Sequence, residues 1–327
     1  MKYVKIAIII LLSAVTAFGC WFYLPAFIPE KYTEDFAKAR VNSTDIYMNE
    51  DFENICETTE YLTGDGEYDY YSCVSETEKR YEFEGFLPTR YYDFSASYIL
   101  KYKGDELIKK TELPQVPDKN GKAYKAVTAS VKSGYLYYII QYEDGDTTGS
   151  VYRTDLNFEK TEVYIKESQF GKIAQTTLNF DGDDLIYITD KLTVVRFNGR
   201  EEREIATLPP ITEQKYYFDE YYDENKLNYT VCVHGETVYC AFEDNLYKLK
   251  DGRLKKVFLP VTPGFDFSFW YLYNIRHIEF CEDKPEYLRI YLDVDASNGE
   301  PPYTTFEERA MFVLNTSTLR KIAHYKN

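Results

Sequence analysis

Apolar and polar residues alternate with a period of two over most of this chain, in runs of about 5 to 9 residues that read as half-buried strands. One such run returns five times: Ile99-Leu100-Lys101-Tyr102, Val151-Tyr152-Arg153-Thr154, Val194-Val195-Arg196-Phe197, Leu246-Tyr247-Lys248-Leu249 and Met311-Phe312-Val313-Leu314. Each copy leads into a Gly, Asp or Asn turn and a second, charge-rich strand. A second run precedes it, in Gly134 to Ile139, Asp184 to Ile188, Glu236 to Ala241 and Glu286 to Ile290. Before three of these lies another strand: Ala126 to Val131, Ile173 to Leu178, and Tyr229 to Val233. Lys103-Gly104-Asp105, Asp181-Gly182-Asp183, Asn198-Gly199 and Asp251-Gly252 punctuate the runs, and such pairs between alternating segments predict hairpins. No helix-sized pattern separates the strands, which excludes βαβ units and a parallel sheet.

The unit therefore reads as four antiparallel strands, repeated every 40 to 65 residues or so. This arrangement resembles β-propellers in general, over about residues 50 to 327. The Gly-His and Trp-Asp pairs of WD40 blades and the paired glycines of kelch blades are missing, so the resemblance reaches no particular family. It implies an all-β fold: a β-propeller of five or six four-stranded blades after an N-terminal membrane-targeting helix. The long last interval predicts an insertion around Val294 to Phe306. A pair of β-sandwiches or an irregular β-solenoid is the competing architecture.

The N-terminus adds a location. Lys2 and Lys5 precede Ile6 to Ile28, a run without charge that is long enough to span a bilayer. Three readings stand side by side: an uncleaved anchor, a lipoprotein cleaved before Cys20 at Ala17-Phe18-Gly19-Cys20, and ordinary cleavage after Gly19. All three export the rest of the chain. The domains expected are residues 1–28 as signal-anchor or lipoprotein signal, 29–50 as linker or short helix, and 51–327 as the propeller-like domain. The localisation expected is extracytoplasmic and membrane-anchored.

Composition sharpens this in two respects. With 38 basic and 54 acidic residues the net charge is −16, which repels phosphate backbones and excludes nucleic acid as a natural partner. Export also makes disulfides eligible. A three-residue turn at Gly235 to Thr237 would set Cys232 opposite Cys240, and Cys56 with Cys73 could close a second loop.

The chemistry sought along the chain is mostly missing. There is no Gly-x-Ser-x-Gly elbow, phosphate loop or His-Glu-x-x-His helix. Of the three histidines, His277 lies in an aromatic strand region and reads as structural, as do His234 and His324. The Asp-rich turns at Asp181 to Asp184 and Glu143 to Asp146 are hairpin turns rather than calcium loops. Five-bladed propellers include glycoside hydrolases, whose acids face a central funnel. Here the expected inner strands carry Thr128, Ser130, Gln175, Thr177 and Tyr229 instead. The densest aromatic stretch, Phe265 to Tyr273, offers Trp270, Tyr271 and Tyr273 as binding aromatics, with packing between blades as the alternative. No cofactor or metal is implied. The sequence reading is a binding or scaffold protein for a protein or glycan partner, with an extracytoplasmic carbohydrate-active enzyme as its rival.

Overall fold

The computed structural model describes residue 13 and residues 43–48, 54–84, 87–114, 123–142, 146–209, 229–242, 245–257, 270–281, 284–297, 305–317 and 320–326. Among these residues the chain is all-β, apart from Ser13, which is helical. Among them, no helix is long and apolar enough to cross a membrane. Of the leader only Ser13 is described, so Cys20 and the run around it lie outside the described residues, as do residues 29–42 of the expected linker or short helix.

Among the described residues, twenty-one strands form five antiparallel sheets. The first holds β1 (Ser43–Met48), β2 (Asn54–Gly64), β3 (Asp69–Glu84), β4 (Leu87–Lys103) and β5 (Glu106–Glu112). The second holds β6 (Ala123–Lys132), β7 (Tyr135–Tyr142), β8 (Thr147–Asp155) and β9 (Thr161–Ile165). The third holds β10 (Ile173–Asp181), β11 (Asp184–Thr189), β12 (Thr193–Phe197) and β13 (Glu202–Thr207). The fourth holds β14 (Thr230–His234), β15 (Thr237–Phe242), β16 (Asn245–Lys250) and β17 (Arg253–Val257). The fifth holds β18 (Trp270–Cys281), β19 (Lys284–Ser297), β20 (Thr305–Asn315) and β21 (Arg320–Lys326).

Every sheet is a meander in chain order, so the four-strand unit read from the sequence is the unit of the structure, with one extra strand in sheet one. Its turns are short because the sequence supplies the conformations they need. Ser133 and Gly134 both adopt positive φ (50° and 80°), as do Asp251 and Gly252 (52° and 68°). That combination at both central positions matches the twist of a two-residue hairpin, and Gly at the second position adopts it without strain.

Two expectations are corrected. Sheet one starts before residue 51, because Ser43–Met48 pairs with β2 within the segment expected to be linker or helix. The long last interval is absorbed largely by strand length: β18, β19 and β20 have 12, 14 and 11 residues. The connector 298–304, with Pro301 and Pro302, lies outside the described residues.

The chain divides into two compact units. Lys38–Thr207 carries sheets one to three. Its sheets pack face to face, with β6 beside both β2 and β10. Between sheets one and two lie Tyr70, Ile99, Leu136, Tyr138 and Phe158. Between sheets two and three lie Tyr137, Ile139, Ile173, Leu185, Tyr187 and Val195. The second unit includes Leu208–Asn327 with sheets four and five. There β14 runs beside β18, and Tyr239, Leu246, Ile278, Leu288 and Ile290 fill the space between the two sheets. Each of these large apolar side chains, taken fully out of water, contributes roughly 1.5–3 kcal/mol.

Candidate functional site

The recurring run hides a chemical regularity. Its third position is Lys101 in β4, Arg153 in β8, Arg196 in β12 and Lys248 in β16. Strand register sets these cations opposite Tyr70, Tyr137, Ile186 and Tyr239. In sheet five the pair is exchanged: Val313 holds the third-strand position, and the cation is Arg289, opposite it on β19.

The pleat fixes which way each cation looks, since successive residues of a strand point to opposite faces. Tyr70, Tyr137 and Tyr239 belong to the cores shared with the following sheet, so Lys101, Arg153 and Lys248 share that forward face. Tyr187 packs back on sheet two and Ile290 on sheet four, so Arg196 and Arg289 lie on the opposite faces of sheets three and five. In sheets two, three and five the cation therefore lies on the face turned away from the preceding sheet of its own unit.

Each of these charges has partners. Lys101 donates to the Leu156 carbonyl at 2.9 Å, and its ammonium lies 3.9 Å from the centre of the Tyr68 ring. Arg153 donates to Glu162 at 2.7 Å and rests on the rings of Tyr135 and Tyr164 at 4.7 and 4.6 Å. Arg196 joins Asp181 and Asp184. Lys248 sits 5.2 Å from the Tyr239 ring. Removing water from a cation is tolerable only when a carboxylate, carbonyl or ring face replaces it.

Sheet five gathers the densest constellation. A register shift between Ile275 and His277 brings His277 opposite Tyr291, and Glu279 lies opposite Arg289. The Tyr291 hydroxyl donates to Glu279 Oε1 at 2.7 Å, and Arg289 Nη1 donates to the same oxygen at 3.1 Å. His277 Nε2 lies 3.7 Å from Glu279 Oε2, and the His277 and Tyr291 rings are 5.7 Å apart. Burial pushes the Glu279 carboxyl up, but His277, Arg289 and Tyr291 outweigh it and hold it down at about 2. Burial likewise opposes the charge on Arg289, and Glu279 outweighs it and holds that guanidinium above its ordinary value. Glu279 is thus a fixed anion and electrostatic anchor, the opposite of a carboxyl poised to donate a proton.

Glu279 also corrects the expectation of acid-free inner strands. β2 and the first strands of sheets two to five (β6, β10, β14 and β18) carry four described acids: Glu57 and Glu60 on β2, Asp181 on β10 and Glu279 on β18. All four are ion-paired. Glu57 meets Lys110 at 3.3 Å and Glu60 meets Lys125 of β6 at 2.9 Å, while Asp181 meets Arg196 and Glu279 meets Arg289. The pairing was visible as a pattern in sheet five. His277-x-Glu279 and Arg289-x-Tyr291 alternate with Ile278, Phe280, Leu288 and Ile290. Glu60 and Lys125 left no comparable trace, because they meet across 65 residues of chain.

The uncharged inner-strand residues are placed as expected on first strands or just before them. Thr128 and Ser130 are half-buried, and Thr177 and Tyr229 are buried. His234 packs its ring 5.5 Å from Phe280. Trp270, Tyr271 and Tyr273 lie on the first residues of β18, with backbone partners Ser297, Ala296 and Val294. The Asp181 and Asp184 carboxylates are taken up by Arg196, which leaves them as turn anchors. Among the described residues no group of three or more His, Cys, Asp and Glu could hold a metal ion.

Both expected disulfides are overturned. Cys56, Cys73, Cys232, Cys240 and Cys281 are all free thiols. The hairpin at His234 has a two-residue turn, with His234 paired to Thr237, so Cys232 lies opposite Tyr239 and Cys240 opposite Val231. One residue fewer in the turn moves Cys240 to the other face of the sheet. Cys56 lies opposite Glu76 and Cys73 opposite Thr59, which again puts the two on opposite faces. Burial pushes the Cys240 thiol up to about 12 and raises Cys232 and Cys281 as well. Since the thiolate is the reactive form, these thiols are expected to resist a disulfide-exchange reagent in the native chain. After denaturation without reductant, Cys56, Cys73, Cys232, Cys240 and Cys281 should all titrate. Fewer reactive thiols among these positions, located by peptide mapping, would restore a disulfide.

No family model matches the chain, and no curated protein matches it in sequence. Solved structures do align with it at low similarity. A structure of YCF48 bound to D1 peptide is 8% identical with a TM-score of 0.35, over 86% of this chain and 84% of that one. A putative 6-phosphogluconolactonase from Bacteroides fragilis is 12% identical with a TM-score of 0.32, over 86% of each chain. The WD40 domain of SCAP from fission yeast is 9% identical with a TM-score of 0.31, over 88% of this chain and 75% of that one. At such scores the architecture rests on the chain's own sheets.

Proposed function

We propose that this chain is an exported, membrane-tethered binding scaffold whose five meanders close into a five-bladed β-propeller that presents its loops to a protein or glycan. The tether is the apolar run from Ile6 to Ile28. The ring is supported by complete meander units whose inner strands run side by side within each compact unit, β2 with β6 and β10 in one, β14 with β18 in the other.

The observation that favours binding over hydrolysis is the pairing of Glu57, Glu60, Asp181 and Glu279 with cations. Hydrolysis of a glycosidic bond needs one carboxyl that stays protonated near neutral pH beside a second that does not. His277, Arg289 and Tyr291 hold the Glu279 carboxyl well below its ordinary range, so the most enclosed of these acids does not suit that role.

The test uses the full-length chain in its native membranes. The scaffold reading predicts sedimentation with membranes, digestion of the strand-rich part by protease added from the outer side, and no turnover of a panel of chromogenic glycosides. Recovery in the soluble cytosol would overturn the tether. Glycoside turnover that disappears in Glu60→Gln or Glu279→Gln would overturn the scaffold in favour of an enzyme.

A further inference from the structure

The two ends of sheets one to three are built differently. At one end lie the turns 65–68, 104–105, 133–134, 156–160, 182–183 and 198–201, each of two to five residues. At the other lie the connectors between sheets, 113–122 and 166–172, with the hairpin ends 49–53, 85–86, 143–146 and 190–192. Contacts between sheets show that like ends lie together. Lys101 and Lys109, near the 104–105 turn, donate to the Leu156 and Asn157 carbonyls of the 156–160 turn. At the other end the Thr147 hydroxyl, just after 143–146, donates to the Ile173 carbonyl, just after 166–172.

Sheet one reaches farthest at the connector end. The β2–β3 register stops at Ile55↔Thr77 and the β4–β5 register at Tyr98↔Glu112, but β3 and β4 stay paired from Glu78↔Tyr92 to Glu84↔Leu87. Among the described residues of sheet one this stretch is a ribbon of two strands, which is marginal by itself in water.

β1 shows from which end the chain arrives. It runs antiparallel to β2, which ends at the 65–68 turn, so the residues before Ser43 come from the tight-turn end. Ser43 lies level with Thr59, and Thr59 with Cys73. Along β3 from Cys73, the tight-turn end at Asp69 is four residues away and the ribbon end at Glu84 is eleven. At about 3.3 Å per residue these distances are roughly 13 and 36 Å. The 14 residues 29–42 that separate the apolar run from β1 span at most roughly 50 Å when fully extended. A bilayer at the ribbon end would make the chain reverse direction and use most of that reach. A bilayer at the tight-turn end requires neither.

We infer that the unit Lys38–Thr207 stands with its tight-turn end toward the bilayer, so that the ribbon and the connectors form its outward surface. The inference rests on the tether proposed above and identifies which loops that reading presents to a partner.

The orientation is read out in the purified full-length chain carrying Cys56→Ser, given one further cysteine at a time. Asp105→Cys and Arg200→Cys mark the tight-turn end, and Glu84→Cys and Lys191→Cys the other. Each is labelled with a charged fluorescent maleimide and reconstituted into phosphatidylcholine vesicles that carry an acceptor dye on some headgroups, with the Cys56→Ser chain as the blank. The 17 residues of β4 lie between Glu84 and Asp105, roughly 55 Å of strand. Quenching by the acceptor should be at least threefold stronger for Asp105→Cys than for Glu84→Cys, and stronger for Arg200→Cys than for Lys191→Cys. Equal or reversed quenching in either pair, in chain that floats with the vesicles, would overturn the orientation and leave the tether standing. Chain that does not float with the vesicles would overturn the tether, and the orientation with it.

Discussion

Replacing Tyr239 by alanine is expected to lower stability by about 3–5 kcal/mol, the range for deleting a large aromatic side chain from a packed core. Tyr239 is fully buried on β15, and its ring lies 5.9 Å from that of Phe280 on β18, nearly perpendicular to it. It also forms part of the core joining sheets four and five, beside Cys232, Leu246, Ile278 and Leu288. The cavity would thus open between sheets and loosen their association as well as one hairpin. Leu107→Ala, on the exposed β5 edge, is the matched control and should change stability by no more than about 0.5 kcal/mol. Urea denaturation of both variants measures the difference. A Tyr239→Ala midpoint equal to that of the control would mean that the two sheets do not share this core.

The second large effect is a pH dependence. The Glu279 carboxyl is held at about 2 in the folded chain, against an ordinary value of 4.5. A depressed carboxylate contributes stability that is fully present above its unfolded value and is lost as pH falls through the folded value. The window is therefore about pH 4.5 down to about 2. Glu279, Arg289 and His277 each keep roughly a third of their side-chain surface in water. Solvent screening accordingly reduces the contribution to about 1–2 kcal/mol. Glu279→Gln keeps the shape and removes the charge, so its stability should decline less steeply over that window than the wild type's. Arg289→Ala tests the partner: it leaves Glu279 with His277 and Tyr291 alone and should lower stability at neutral pH as well. Parallel acid-unfolding curves for wild type and Glu279→Gln would rule out the ionised anchor.

The strand pattern was legible for a simple reason. Each sheet is built from neighbours in sequence, so local alternation and Gly-containing turns specify most of it. What escaped the sequence were single-residue choices. One residue more or less in the turn after His234 decides whether Cys240 shares a face with Cys232, and residue types alone do not choose between two- and three-residue turns. β1 escaped because a six-residue edge strand in Ser43–Met48 has little apolar alternation of its own and is recruited by β2. The cation carried by each sheet was present in four of the five quoted repeats, as Lys101, Arg153, Arg196 and Lys248, but its meaning was not. Only the pairing of strands shows that Arg289 fills the same place in sheet five from the neighbouring strand.

The most direct test of the five-sheet account is amide hydrogen exchange at single-residue or short-peptide resolution. Five blocks of slow exchange are predicted, centred on the middle strands β3–β4, β7–β8, β11–β12, β15–β16 and β19–β20. Fast exchange should separate the strands at Ser133-Gly134, Gly182-Asp183, Gly235-Glu236 and Asp251-Gly252. A protected stretch running unbroken through any of those four turns, or a middle pair that exchanges as fast as the turns, would contradict the repeat of four-stranded meanders.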